Sequence, residues 1–249
     1  MIVLKTTREL GLMKEACVIA AGALKAAGAA VEPGISTEEI DRIAHNFITK
    51  NGAIPTFKGY NGYPAATCIS INDEVIHGIP SKSRIIKAGD LVSIDVGATF
   101  NGYVGDNAAT FAAGDISPEA KRLSDTTRES LYVGIQAAVA GGRVGDIGSA
   151  IAKYCEERGF SVVREFTGHG VGTQLHEDPS VPNFGTPGRG ARLLPGMTIA
   201  IEPMINMGVP GVRVMPDGWT VKTKDGKLSA HFEHTIAITA DGPVILTQI

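Results

Sequence analysis

LVSIDVGATFNGYVGDNAATF, residues 91 to 111, holds two apolar runs around a central Asn101-Gly102. Asparagine-glycine is a strong signal for a two-residue hairpin loop, so the two runs are expected to be antiparallel strands. In that register Phe100 pairs with Tyr103 and Gly97 with Asp106. Asp95, two residues before Gly97, then shares a face with Asp106 as its diagonal neighbour, at ~7 to 8 Å between backbones, and both carboxylates can reach one point. An open, solvated sheet face would explain Asp106 alone.

Working outward, EPGISTEEIDRIAHNFITKNGA matches VAGGRVGDIGSAIAKYCEERGF at an offset of 107 residues, with Gly34 on Gly141, Ile40 on Ile147, Phe47 on Tyr154 and Gly52 on Gly159. The same offset sets KAGDLVSID on LPGMTIAIE, with Gly89 on Gly196 and Asp95 on Glu202. Two separated matches at one offset suggest a duplicated α/β half with an acid in an equivalent strand of each copy. Chance likeness of helix-turn-strand units is the alternative. Capping boxes at Thr6-x-x-Glu9 and Ser36-x-x-Glu39 open helices of roughly 20 and 15 residues, and Ser117-Pro118-Glu119 opens a third. MTIAIEPM and HFEHTIAI read as further strands, and Asp217-Gly218, Asp225-Gly226 and Asp241-Gly242 as hairpin signals that make the last third mostly β. No low-complexity linker divides the 249 residues, so one domain with halves of roughly 1–114 and 115–249 is expected.

With 43% hydrophobic residues, the chain can bury a sizeable core. A net charge of -3 argues against a nucleic-acid surface, and no nucleic-acid motif appears. Cys17, Cys68 and Cys155 are odd in number and form no CxxC pair, which favours a reducing compartment over a disulfide scaffold. MIVLKTTREL lacks the apolar core of a signal peptide, and ACVIAAGALKAAGAAV is too weak to span a bilayer, so a soluble cytoplasmic protein is expected.

EFTGHGVGTQLHEDP, residues 165 to 179, poses the chemical question. The zinc-protease pattern HExxH is absent, because His176-Glu177 is followed by Asp178, Pro179 and Ser180. A metal site, a catalytic acid and a glycine-rich surface turn all remain open for this stretch alone. The acids elsewhere narrow the choice. Asp95, Asp106, Glu202 and Glu233 all stand in apolar strand-like context, and four gathered carboxylates would repel and take up protons unless cations were present. Two divalent ions would neutralise them, with His169 completing the set through one nitrogen. Hard oxygen donors with one imidazole favour manganese, iron, cobalt or zinc, and no cysteine is required. Such ions activate water near neutral pH and polarise a carbonyl. His77 in NDEVIHGIP and His176 are left as donors to an oxyanion or a departing amine, although a turn histidine before Gly78 explains His77 equally. His45 reads as a surface residue, and His234 as a neighbour of the ligands or a packing residue.

NDEVIHGIPS, SIDVGATFNGYVGD, GHGVGTQLHEDP, AIEPM and FEHTIAI, in this order along essentially the whole chain, resemble the type I methionine aminopeptidases of bacteria, in the short form without an N-terminal zinc-binding extension. The resemblance implies the pita-bread fold, an internally duplicated α/β domain with a curved antiparallel sheet around a dinuclear metal centre. It implies that Asp95, Asp106, His169, Glu202 and Glu233 hold two divalent ions (cobalt, manganese, iron, zinc or nickel), with Asp106 and Glu233 bridging. Glu202 would help activate the bridging water, His176 would contact the substrate carbonyl, and His77 would assist the scissile nitrogen. Methionine would enter a pocket lined by Tyr60, Tyr63, Cys68 and Trp219, for which ordinary core packing is the plain alternative. Leu175 stands where an aromatic residue is expected and Gly97 where a hydroxyl-bearing one is common, so selectivity and rate are the properties in question.

The implied reaction removes the N-terminal methionine of nascent chains whose second residue is small, by a monomer for which ribosome contact has no motif here. Proline-specific aminopeptidases and prolidases share the fold and ligands but usually carry a large N-terminal domain. Type II enzymes insert a helical segment between the last two acids, and Glu202 and Glu233 are only 31 apart. A non-catalytic binding protein of the same fold would be expected to lack a ligand.

Overall fold

The computed structural model describes residues 1–248. Among the described residues there are four α-helices, α1 (Thr7–Ala29), α2 (Thr37–Lys50), α3 (Pro118–Ala137) and α4 (Val144–Glu156). Thr6 closes a reciprocal capping box with Glu9, whereas Ser36 caps the Glu39 N–H and the Glu39 carboxylate pairs with Arg42 instead. Ser117 accepts from the Ala120 N–H, with Pro118 in the first turn.

Nine strands form the main sheet: β1 (Ile54–Pro55), β2 (Thr67–Ile71), β3 (Leu91–Phe100), β4 (Tyr103–Ala112), β5 (Gly168–Gly170), β6 (Glu177–Val181), β7 (Thr198–Ile201), β8 (Glu233–Thr239) and β9 (Gly242–Ile245). The order is β1-β3-β4-β8-β7-β5-β6, with β2 also on β3 and β9 on β8. The β3–β4 hairpin turns at Asn101-Gly102, both at positive φ, with Phe100 opposite Tyr103 and Gly97 opposite Asp106 as the sequence reading expects. MTIAIEPM and HFEHTIAI each break in two, because Met204–Asn206 and Ser229–His231 leave to pair with each other in a separate sheet. Asp217-Gly218 lies between the paired segments Val212–Val214 and Val221–Thr223, and Asp241-Gly242 sits at the β8–β9 turn. Asp225-Gly226 corrects the expectation: the segments on either side of it pair with other strands, and the Asp225 carboxylate caps the Val209 N–H.

Alternation in β3 splits its side chains. Val92, Ile94, Val96 and Ala98 join Ala20, Leu24, Ile40 and Ile48 in an apolar core under α1 and α2, which leaves Ser93, Asp95 and Gly97 on the opposite face. A second core joins Leu123, Leu131, Ile147 and Ile151 of α3 and α4 to Ile199, Ile201 and Ile236. The offset of 107 recurs in the geometry. α2 begins at Thr37 and α4 at Val144, and the bridges Ser36↔Ile85 and Arg143↔Arg192 occupy corresponding positions. Gly34 and Gly141, Gly52 and Gly159, and Gly89 and Gly196 all adopt positive φ.

At Gly105 in β4, α1 passes so close that an added Cβ would lie 2.5 Å from both the N and Cα of Cys17. Backbone cannot yield as a side-chain tip can, so Gly105→Ala should lower the unfolding free energy by about 1 to 3 kcal/mol in urea denaturation. An unchanged midpoint would show that the helix-to-hairpin contact is looser than described.

Candidate active site

The hairpin register carries the acids to one place. Asp95 pairs with Ala108, and Ala108 also pairs with Glu233, so Asp95 and Glu233 flank one residue of β4 on the same face. Asp106, two residues before Ala108, shares that face by alternation. Across β8, Thr235 pairs with Ala200, and Ala200 pairs with His169. Glu233 is two residues from Thr235, and Glu202 two from Ala200. All five side chains therefore gather on one face of the adjoining strands β3, β4, β8, β7 and β5, Glu202 from the residue just after β7.

Ligand atoms of Asp106, His169 and Glu233 lie within 4.8 Å of one another, an arrangement that could hold a metal ion. His169 Nε2 is 3.7 Å from Asp106 Oδ2 and 3.5 Å from Glu202 Oε1. The other ring nitrogen, Nδ1, is 2.8 Å from the Gly170 carbonyl and donates to it. That bond leaves the Nε2 lone pair directed at the acids, as a metal-binding imidazole requires. The glycines serve close approach here: a Cβ on Gly168 would meet the Ala200 carbonyl at 2.3 Å, and one on Gly170 the Asp178 carbonyl at 2.2 Å.

The acids are starved of partners. Asp95 Oδ1, Asp106 Oδ1 and Glu233 Oε1 are buried without a hydrogen bond among the described residues. Burial, then repulsion from Asp106 and Glu202, pushes the Asp95 carboxyl well above its ordinary range. Burial and Glu202 do the same to Asp106, and burial with Asp106, Glu202 and Asp95 to Glu233. Orphaned hard oxygens beside one correctly oriented imidazole fit divalent cations, and no cysteine thiol enters the group.

These residues floor a cavity of about 280 Å³, and every site residue read from the sequence lines it: the five above with His77, His176, Tyr60, Tyr63, Cys68, Leu175 and Trp219. Tyr63 packs edge-on to Trp219 at 5.0 Å, and its hydroxyl is 3.0 Å from the carbonyls of Thr67 and Gly78. Asp217 holds the Trp219 and Thr220 N–H groups, each at 2.9 Å. The Tyr60 hydroxyl is 2.6 Å from His176 Nδ1, which orients that imidazole. Burial and the neighbouring His169 hold His176 down at about 4, and burial also lowers His77. Both rings are therefore neutral near pH 7. His77 adopts φ 59, a left-handed conformation that few side chains other than glycine accept, and its ring packs on Phe166 and Trp219. The loop bearing Leu175 and His176 is tied by Glu177, which accepts from the Thr173 and Gln174 N–H groups and pairs with buried Lys5 at 2.5 Å.

The two unusual positions have a structural setting. Leu175 is buried with Phe57, Tyr63 and Cys68 in one apolar cluster. At Gly97 an added Cβ would lie 2.7 Å from the Phe57 ring and 3.1 Å from Thr56 Cβ, so Phe57 occupies the space a larger residue would need. Phe57 and Phe166 both line the cavity and neither was identified from sequence. Phe166 stands three residues before His169 inside the glycine-rich stretch, which is its only sequence signal. His234 faces away from the acids, with Nδ1 2.9 Å from Thr247 Oγ1 and its ring beside Tyr132, so of its two expected roles only packing holds. His231, given no role from sequence, lies 3.5 Å from Glu202 Oε2 through its Nε2.

The model of metallopeptidase family M24 matches residues 11–240. The chain is 54% identical to methionine aminopeptidase 1 of Bacillus subtilis over 249 residues, covering all of both chains. Its fold superposes on the crystal structure of a methionine aminopeptidase from Thermotoga maritima with a TM-score of 0.99, at 45% identity and full coverage of each chain. Prolidase from Pyrococcus furiosus is more distant, at 26% identity and a TM-score of 0.81, with 99% of this chain matched to 66% of that one. The curled antiparallel sheet with helices on its outer face is the pita-bread architecture those structures share. The chain belongs to metallopeptidase family M24, among its methionine aminopeptidases.

Proposed function

We propose that this chain hydrolyses the bond after an N-terminal methionine when the second residue is small, acting on nascent polypeptides in the cytoplasm as a monomer. The observation that carries the reading is the convergence of Asp95, Asp106, His169, Glu202 and Glu233 at the floor of a cavity walled by Tyr60, Tyr63, Cys68, Leu175 and Trp219. One domain of two duplicated halves, roughly 1–114 and 115–249, accounts for acids arriving from equivalent strands. Ribosome contact would place the cavity near emerging N-termini. Among the described residues, no helix is long and apolar enough to cross a membrane.

Asp95, Asp106, His169, Glu202 and Glu233 would hold two divalent ions. Such ions supply Lewis-acid polarisation of a carbonyl, a nucleophilic water near neutral pH and a docking point for a free amine. Glu202 is the base that takes a proton from the attacking water. Neutral His176, oriented by Tyr60, donates to the oxygen on which charge develops, and His77 donates to or accepts from the scissile nitrogen. The aromatic walls exclude water from the methionine side chain, and an apolar slot of this kind discriminates by fit. A proline-specific activity is the second reading, raised only by the fold shared with prolidase at 26% identity.

Four outcomes test this. Chelator-stripped protein given manganese or cobalt should release free methionine from a Met-Ala-Ser peptide and leave a Gly-Pro peptide intact; cleavage at the proline bond alone would transfer the chain to the second reading. His169→Ala should lose metal affinity and activity together, while His176→Ala should keep the ions and lose about 10²- to 10⁴-fold in kcat/KM, in the range expected of a proton donor. Full turnover in His176→Ala would remove its role. Because the buried acids are held above their ordinary range, the ion-free site retains protons that a cation must displace, so affinity should rise with pH by about tenfold per unit for each proton released. Calorimetric titration with manganese between pH 6 and 8 reads this directly, and a flat profile would contradict it.

A further inference from the structure

Glu202 sits between two imidazoles. Its Oε1 is 3.5 Å from His169 Nε2 and its Oε2 is 3.5 Å from His231 Nε2, while its main-chain carbonyl accepts from Asn183 Nδ2 at 2.9 Å. His231 is 1% exposed and is not among the residues that line the cavity. Its Nε2 is buried and makes no hydrogen bond among the described residues. A buried ring nitrogen without a partner is costly, so a nearby acceptor carries weight.

The backbone of His231 is held on both sides. Its N–H donates to Thr110 Oγ1 at 3.0 Å, and the Thr110 hydroxyl donates back to the His231 carbonyl at 2.9 Å. Ser93 Oγ, 2.8 Å from Thr110 Oγ1, must then be the donor in that pair, since the threonine proton is already committed. Ser93 and Thr110 lie on the two strands that carry Asp95 and Asp106. The His231 ring is thus anchored to the same hairpin as the ligands, and a small rotation brings Nε2 into charge-assisted hydrogen-bond range of Glu202.

We propose that His231 is a positioning residue for Glu202. Its Nε2–H occupies Oε2, which leaves Oε1 turned toward His169 and the ion site, and sets the direction in which Glu202 meets the attacking water. The inference rests on the reading of Glu202 as a ligand and base. Glutamine reaches about as far as the histidine Nε2 and offers an N–H, asparagine is too short, and leucine offers none.

The test compares His231→Gln, His231→Asn and His231→Leu in the full chain. It measures thermal unfolding, manganese affinity by calorimetry, and kcat and KM on Met-Ala-Ser. Leucine and asparagine should each lower kcat or manganese affinity by about 10- to 100-fold, as loss of a partner to a ligand does, with KM within about threefold; glutamine should restore most of the loss. If leucine does not fold, the asparagine and glutamine pair decides. Glutamine no better than asparagine in a folded protein, or all variants within about twofold of the parent, would overturn the proposal. If the parent itself releases no methionine, the proposed reaction fails, and the order of manganese affinities still decides the role of His231.

Discussion

Mutual repulsion among carboxylates at one buried point is the constraint on which the rest of this structure depends. Asp95, Asp106 and Glu233 each leave an oxygen buried and unpaired, and burial together with their own charges drives their carboxyls toward the protonated form. Nothing in ordinary folding rewards that arrangement, since an isolated buried charge costs several kcal/mol and a pair of like sign costs more. The apolar cores on the helical side must hold the strands firmly enough to keep the acids together. Cations of charge two are the species whose binding would turn that liability into affinity.

Sheet geometry provides the precision. Strands with a repeat of two and a hairpin closed at Asn101-Gly102 leave no freedom in which face Asp95 and Asp106 occupy, and a one-residue slip would turn both carboxylates into the helical core. The other two acids come through β7 and β8, and Thr235 ties β8 to β4 by exchanging hydrogen bonds with the Asp106 backbone. We infer that duplication of an α/β half explains the symmetry of this supply, with Asp95 and Glu202 as equivalent residues. His169 comes from neither equivalent strand, and its approach depends on Gly168 and Gly170.

How much of this was legible in the sequence follows from the range of the interactions. The hairpin register, the shared face of Asp95 and Asp106 and the starts of α1, α2 and α3 are local, and they appear where the sequence puts them. The motif resemblance covered the contacts that no local pattern carries, including the cavity walls at Tyr60, Cys68 and Trp219. Asp225-Gly226 looked like the other turn pairs but caps Val209, because strand partners are chosen by the tertiary fold and not by the turn dipeptide. Phe57 escaped notice because its site is defined by the missing Cβ of Gly97, forty residues away. His231 and His234 are three apart, an odd spacing that puts them on opposite sides of an extended chain, so one lies toward Glu202 and the other toward Thr247.

Anomalous X-ray diffraction from crystals soaked in manganese tests the central claim most directly. The account predicts two strong peaks on the sheet face, within coordination distance of Asp95, Asp106, His169, Glu202 and Glu233. Peaks only on exposed surface acids, or one ion that leaves Asp95 and Glu202 without a metal, would contradict it.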